Sequence, residues 1–282
     1  MSRGSDDRAI GVFDSGVGGL TVLSELRRRL PDERFVYLGD NARTPYGPRP
    51  ADEVRAFTLE SVAWLLGQDV KLLVLACNTA TAHALSAVRG RSAVPVMGVV
   101  RPGAVAVTAA TRTGHVAVVA TAGTVASGAY VDAISEADPT LTVAQQACPD
   151  LVPLVEAGEL EGRRVEEAVA GYLRELRAAD PEVDTLLLGC THYPLLRPIF
   201  QARMGAAVAV VDSAFTTAVA VEDLLDALLA RGSAGGRGSV RVATTGPVEA
   251  FERVATRLFE TDLPPVEAVD LGSLTAVAAD PR

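Results

Sequence analysis

Short, uniformly apolar runs separated by amphipathic stretches dominate the chain, and that alternation leaves few folds open to it. The runs Ile10–Phe13, Phe35–Leu38, Leu72–Ala76, Val94–Gly98, Val116–Ala120, Thr185–Gly189 and Val208–Val211 are rich in Val, Leu and Ile without polar alternation. Strands of that kind are covered on both faces, as in a parallel sheet. Between them, Leu20–Leu30, Ala51–Leu66, Ala80–Val88, Val125–Glu136, Arg164–Ala178 and Ala214–Leu229 place apolar residues at helical spacing. Strand–helix alternation of this kind predicts a doubly wound α/β fold with mainly parallel sheets. The Gly-rich stretch Gly232–Gly238 is expected to be a surface loop or disordered insertion without a functional part.

The chain also repeats itself loosely. Apolar runs end at Asp14 and Cys77, and again, after similar spacing, at Thr121 and Cys190. Two pseudo-symmetric lobes are therefore expected, one of residues 1–98 with 208–282 and one of residues 99–207, with the site in the cleft between them. The crossings near MGVVRPG and Gly205 are the expected hinge.

Composition excludes several function classes. The net charge of −9 repels phosphate backbones, so nucleic acid is not an expected partner. No run approaches the roughly 18 apolar residues of a membrane span, and the polar start MSRGSDDRAI lacks the apolar core of a secretion signal. Three widely spaced cysteines without a CxxC pair fit reduced thiols in the cytoplasm. The chain contains a single lysine, Lys71, at the start of an apolar run. Pyridoxal chemistry needs a lysine at the site, whereas strand starts lie away from it, so Lys71 is expected to be a solvated strand-entry residue. No pyridoxal phosphate is expected. Nor is a metal, since no HExxH or paired Cys/His spacing occurs. The GVGG run after Asp14 lacks the lysine of a phosphate-binding loop.

Ligands of open α/β sheets bind beyond the carboxyl ends of the strands. Four segments are expected there: Asp14-Ser15-Gly16, Cys77-Asn78-Thr79, Thr121 to Thr124, and Cys190-Thr191-His192. Each opens a helix and so presents free backbone N–H groups to an anion. Ser15, Asn78, Thr79, Thr121, Thr124 and Thr191 add short donors, although each taken alone is as well explained as a helix cap. Cys77 and Cys190 stand out because a helix N-terminus favours a thiolate. Cys148, followed by Pro149, has no equivalent and is expected to be structural. His192 lies two residues beyond Cys190, close enough to assist its proton traffic. His83 and His115 are expected to be surface or packing residues.

GVFDSGVGGLTVL, YLGDNARTPYG, LACNTATA, GTVASGAY following ATA, CPDLVPLVEAG and LGCTHYPLL resemble, in order, segments of the bacterial glutamate racemases of the aspartate/glutamate racemase family. The resemblance runs from Ile10 to about Asp212 and implies two α/β lobes enclosing glutamate. It implies that Cys77 and Cys190 transfer protons without a cofactor, and that Asp14-Ser15, Tyr46-Gly47, Asn78-Thr79 and Thr191-His192 contact the amino acid. Asp14, Asp40, Glu156 and His192 match the family's supporting polar residues. The residues alone make Asp40 a helix cap and Glu156 a solvated carboxylate. The resemblance further implies a homodimer and a product, D-glutamate, destined for peptidoglycan. Arg101 in VVRPG stands where such sequences often carry an acidic residue.

Three rivals remain. Related aspartate or diacid racemases share the two-cysteine plan but differ after the second cysteine, which makes His192 and Tyr193 the discriminators. A thiol hydrolase using Cys190 and His192 leaves Cys77 unexplained, and it requires two residues at one strand–helix junction to reach each other. A regulatory binder would keep the cleft and lose turnover.

Overall fold

A computed structural model of the chain describes residues 5–233, 235, 238–259 and 263–272. Within them, the strands are β1 (Ala9–Asp14), β2 (Phe35–Gly39), β3 (Val70–Leu75), β4 (Val96–Gly98), β5 (His115–Ala120), β6 (Thr142–Ala147), β7 (Thr185–Gly189), β8 (Ala209–Asp212), β9 (Val240–Thr244) and β10 (Val266–Ala268). The helices are α1 (Leu20–Arg29), α2 (Ala51–Leu66), α3 (Asn78–Arg89), α4 (Val100–Ala110), α5 (Ala122–Ala126), α6 (Ala129–Ala137), α7 (Leu151–Glu156), α8 (Arg163–Ala179), α9 (Arg197–Met204), α10 (Ser213–Ala227) and α11 (Val248–Phe259). None of these helices is long and apolar enough to cross a membrane.

The strands form two parallel sheets, ordered β10-β9-β2-β1-β3-β4 and β6-β5-β7-β8. Four strands of the first sheet and all four of the second share one order, second-first-third-fourth, so the loose repeat read in the sequence is a repeat of topology. The pleat explains why the runs are apolar throughout. Ile10 and Val12 of β1, with Leu72 and Val74 of β3, enter one core, while Phe13, Leu73 and Leu75 enter another. In the second sheet Ala117 and Val119 join the first of these cores, and Val116 and Val118 pack under α4 and α6. Side chains on both faces are buried, so a polar residue on either face needs a full set of partners.

Several expectations need correction. The chain was expected to rejoin the first lobe at 208, but β8 pairs with β7 and closes the second sheet. Its topological equivalent is β4, and the return follows it along α10, which packs against both α1 and α4. The helix expected over Val125–Glu136 is two, α5 and α6, because Gly128 adopts a left-handed φ of 70° and turns the chain. Strands β6, β9 and β10 were not foreseen. β6 reads Thr-Val-Ala-Gln-Gln-Ala rather than running apolar, and β10 is an exposed edge strand. Of the Gly-rich stretch, residues 234, 236 and 237 lie outside the described residues.

Lys71 is not solvated. Its side chain is 1% exposed and its Nζ lies 2.6 Å from the Glu33 carboxylate. It also donates to the carbonyls of Asp6 and Ala230, at 2.6 and 2.7 Å. A buried ammonium needs this full set of partners to offset its lost hydration.

Candidate active site

The ends of β1, β3, β5 and β7 converge on one cavity of about 140 Å³, room for a molecule of several heavy atoms. Ser15, Tyr46, Gly47, Cys77, Asn78, Thr79, Thr121, Cys190, Thr191 and His192, all singled out in the sequence, line it. Cys77 caps α3 and accepts a hydrogen bond from the Ala80 N–H at 3.4 Å, while Thr121 caps α5. Capping and ligand approach thus coexist at the same residues.

Cross-lobe contacts frame the cavity. The hydroxyls of Thr79, Thr121 and Thr124 form a triangle with sides of 2.9, 3.2 and 3.0 Å. Gly123 donates its N–H to the Gly47 carbonyl at 2.8 Å, and His83, on α3, approaches the Gly123 carbonyl at 3.1 Å. His83 is therefore an inter-lobe tie rather than a surface group. The GVGG run is explained by close approach. A Cβ on Gly18 would fall 2.4 Å from the Thr191 hydroxyl and 2.6 Å from His192 Nδ1. Only glycine lets the first lobe's loop lie against Thr191 and His192.

The two thiols have unlike surroundings. Cys77 is 5% exposed and lies 3.4 Å from the Ser15 hydroxyl. Burial, followed by the nearby Asp14, pushes its thiol up to about 12, against the hydrogen bonds from Ser15 and Ala80. Cys190, 6% exposed, has Sγ 3.9 Å from His192 Nδ1, and His192 Nε2 lies 3.1 Å from Glu156 Oε1. Cys190 and His192 reach each other, because the chain after β7 bends at once into a 3₁₀ turn over Tyr193–Leu196. Burial alone would depress the imidazole. The hydrogen bonds and charges of Cys190 and Glu156 outweigh it and hold His192 up at about 10.

Asp14, Asp40, Thr124 and Glu156 stand behind the lining rather than in it. Asp14 is fully buried, accepts the Gly16 N–H at 3.0 Å and lies 3.5 Å from the Thr191 hydroxyl. Burial raises its pKa, opposed mainly by the His192 charge and by backbone N–H groups. Asp40 accepts from the Tyr46 hydroxyl, from Arg43 Nε at 2.7 Å and from the Thr245 hydroxyl at 2.6 Å. It positions the Tyr46-Gly47 loop. Glu156, unassignable from sequence spacing, acquires its place through His192. Cys148 is fully buried in the core, away from the cavity lining.

The model of the Asp/Glu/Hydantoin racemase family matches residues 12–222, which include every residue lining the cavity. The chain belongs to that family. It is 45% identical over 270 residues to a glutamate racemase of Lactiplantibacillus plantarum, covering 95% of this chain and 98% of that one. A glutamate racemase of Enterococcus faecalis is 44% identical, with 89% and 92% covered. Among solved structures, glutamate racemase isoform RacE1 of Bacillus anthracis superposes with a TM-score of 0.89 at 40% identity, covering 94% and 98% of the two chains. That of Francisella tularensis, in complex with D-glutamate, gives 0.87 at 31%, with 95% and 99% covered. An aspartate racemase of Picrophilus torridus gives 0.55 at 17% identity over 79% of this chain and 95% of that one, a likeness of fold alone.

Sequence reasoning missed part of this racemase-family cavity. Thr44, Pro45, Pro48, Ala122, Pro149, Val152 and Pro153 complete the lining. Five lie inside YLGDNARTPYG and CPDLVPLVEAG, Ala122 lies in the Thr121 to Thr124 segment and Pro48 directly follows Gly47, but apolar walls and prolines carry no signal of their own. They supply the dry side of the cavity, which strengthens every polar contact within it.

Proposed function

We propose that the chain interconverts L- and D-glutamate by proton transfer at the α-carbon, supplying D-glutamate for peptidoglycan. The observation that carries this reading is that Cys77 and Cys190 end topologically equivalent strands of two lobes and line one cavity. Racemisation needs an acid and a base on opposite faces of one carbon, able to exchange roles. One thiolate takes the α-proton, breaking the C–H bond and forming S–H. The other thiol gives its proton to the opposite face and is left as the thiolate. The return reaction reverses both transfers.

The developing carbanion is stabilised by donors at the α-carboxylate in a water-poor cavity. Ser15, Asn78, Thr79, Thr121 and Thr191 are the proposed donors. Asn78 supports the assignment most directly, because its Nδ2 is buried without a hydrogen-bond partner and the residue lines the cavity. The Lys71 ammonium is held by Glu33 at the entry end of β3, so no lysine amine serves the cavity. The reaction accordingly runs on the thiols. A cytoplasmic homodimer is the expected form, testable by analytical ultracentrifugation.

Purified protein incubated with L-glutamate in D2O, without pyridoxal phosphate, tests the reading. Loss of circular dichroism together with deuterium at Cα is the expected result. No exchange on glutamate, with exchange on aspartate, would transfer the activity to another diacid.

A further inference from the structure

Asn78 works only if its amide is turned one way round, since the carbonyl end would repel a carboxylate. The two ends of an amide have the same shape, so hydrogen bonds decide which faces the cavity. Tyr130 reaches Asn78 from the other lobe, its hydroxyl donating to Asn78 Oδ1 at 2.5 Å. The ring is fully buried on α6, in a slot between two glycines. A Cβ on Gly189 would fall 2.9 Å from Tyr130 Cε2, and one on Gly103 would fall 3.0 Å from Cε1. The phenol's single hydrogen goes to Asn78 Oδ1, which can only accept. The Ser213 side chain also hydrogen-bonds the phenol, beside the Cβ position that Gly103 leaves empty. Asn78 Oδ1 is then spent, and its buried, unpartnered Nδ2 is left for the cavity.

We infer that Tyr130, backed by Ser213, is a positioning residue that sets the orientation of the Asn78 amide towards the substrate carboxylate. The chain of contacts starts at Ser213, the first residue of α10, where the polypeptide leaves the second sheet. It crosses to Asn78, the first residue of α3, beside Cys77. The donor next to one thiol is therefore oriented by the opposite lobe, so its alignment depends on how the lobes are set together. This inference rests on the glutamate-racemase reading.

A double-mutant cycle tests it, measuring racemisation by circular dichroism and glutamate binding by calorimetry on the full chain. Tyr130→Phe keeps the ring and loses the hydroxyl. It should lower kcat/KM and affinity by roughly tenfold, the scale of one buried hydrogen bond. Asn78→Ala should cost at least as much, and Tyr130→Phe added to it should cost nothing further. A merely structural role for Tyr130 would not vanish in that background. Ser213→Ala should give a smaller loss that disappears in the same way, and it carries the cycle by itself if Tyr130→Phe does not fold. Unchanged kinetics and affinity in the single variants, or an equal factor persisting in the Asn78→Ala background, overturns the inference. An inactive wild-type protein refutes the racemase reading instead, while the binding cycle still decides the role of Tyr130.

Discussion

Glu156→Gln isolates the contribution of the charge behind His192. The substitution keeps an acceptor near Nε2 and removes the negative charge 3.1 Å away. His192 titrates at about 10 instead of the ordinary 6.5, held there by Cys190 and Glu156 against the effect of burial. Glu156 is 26% exposed, so solvent screens it, and a contribution of about 1–2 kcal/mol is reasonable for a charge-assisted hydrogen bond at such a site. One pH unit is worth about 1.4 kcal/mol, so the imidazole should fall by about one unit. The protonated form is the useful one in both directions, because the imidazolium stabilises the Cys190 thiolate whether that thiolate is reactant or product. The alkaline limb of kcat/KM should thus move to lower pH in the variant. Stability follows the same sign. A folded pKa above the unfolded value stabilises fully below pH 6.5 and is lost as pH rises through about 10. The variant's deficit in thermal melting should therefore stay constant until about one unit below the wild-type value and vanish as pH rises through about 10. An alkaline limb that stays in place, or a deficit that grows with pH, would refute the reasoning.

Cys148→Ser should remain active, since the thiol is buried in the core and its nearest polar contact is the Gln146 carbonyl at 3.7 Å; an inactive, folded variant contradicts its structural role. Lys71→Met should destabilise the fold by about 3–5 kcal/mol in denaturant titration, because Glu33 is left as an uncompensated buried charge, while the variant that remains folded keeps its kcat. Alkylation by iodoacetamide, followed peptide by peptide in a mass spectrometer at pH 7.5, should reach Cys190 before Cys77. Equal exposure removes accessibility as the cause, and the opposite order would show that the imidazolium does not govern reactivity.

What the sequence disclosed follows from what leaves a local imprint. Buried parallel strands need apolar residues on both faces, so β1, β3, β5 and β7 were legible, and the residues at their carboxyl ends came with them. β6 was not, because its Thr, Gln and Ala residues are only partly buried and carry no continuous apolar run. The partition of the chain between the sheets hinged on β8, a four-residue strand whose pairing no local pattern encodes. At the site, Cys77, Asn78 and Thr121 were readable as residues opening helices, whereas Cys190, expected to do the same, is followed by a 3₁₀ turn capped by His192. Glu156 and Asp40 act through His192 and Tyr46, contacts made between elements distant in sequence, and only the family resemblance pointed to them. Tyr130 closes the GTVASGAY segment of the resemblance but was given no role there, since a buried tyrosine on an amphipathic helix reads as core.

The repeat of topology is not a repeat of chemistry. Cys77 and Cys190 end equivalent strands, yet one faces a carboxyl group and the other an imidazole. Burial and Asp14 hold the proton on Cys77 at neutral pH, since its thiol titrates near 12. His192, charged up to about 10, places a cation beside Cys190. The resting protein thus has a protonated thiol on the first lobe's side and a cation beside the thiol on the second's. A racemase must also start from the opposite arrangement, because each enantiomer presents its proton to a different thiol. Asp14 bears on this, because burial raises its pKa and so eases its protonation when Cys77 ionises beside it. A fixed carboxylate would bar one direction, whereas a carboxyl whose proton affinity burial has raised leaves both open.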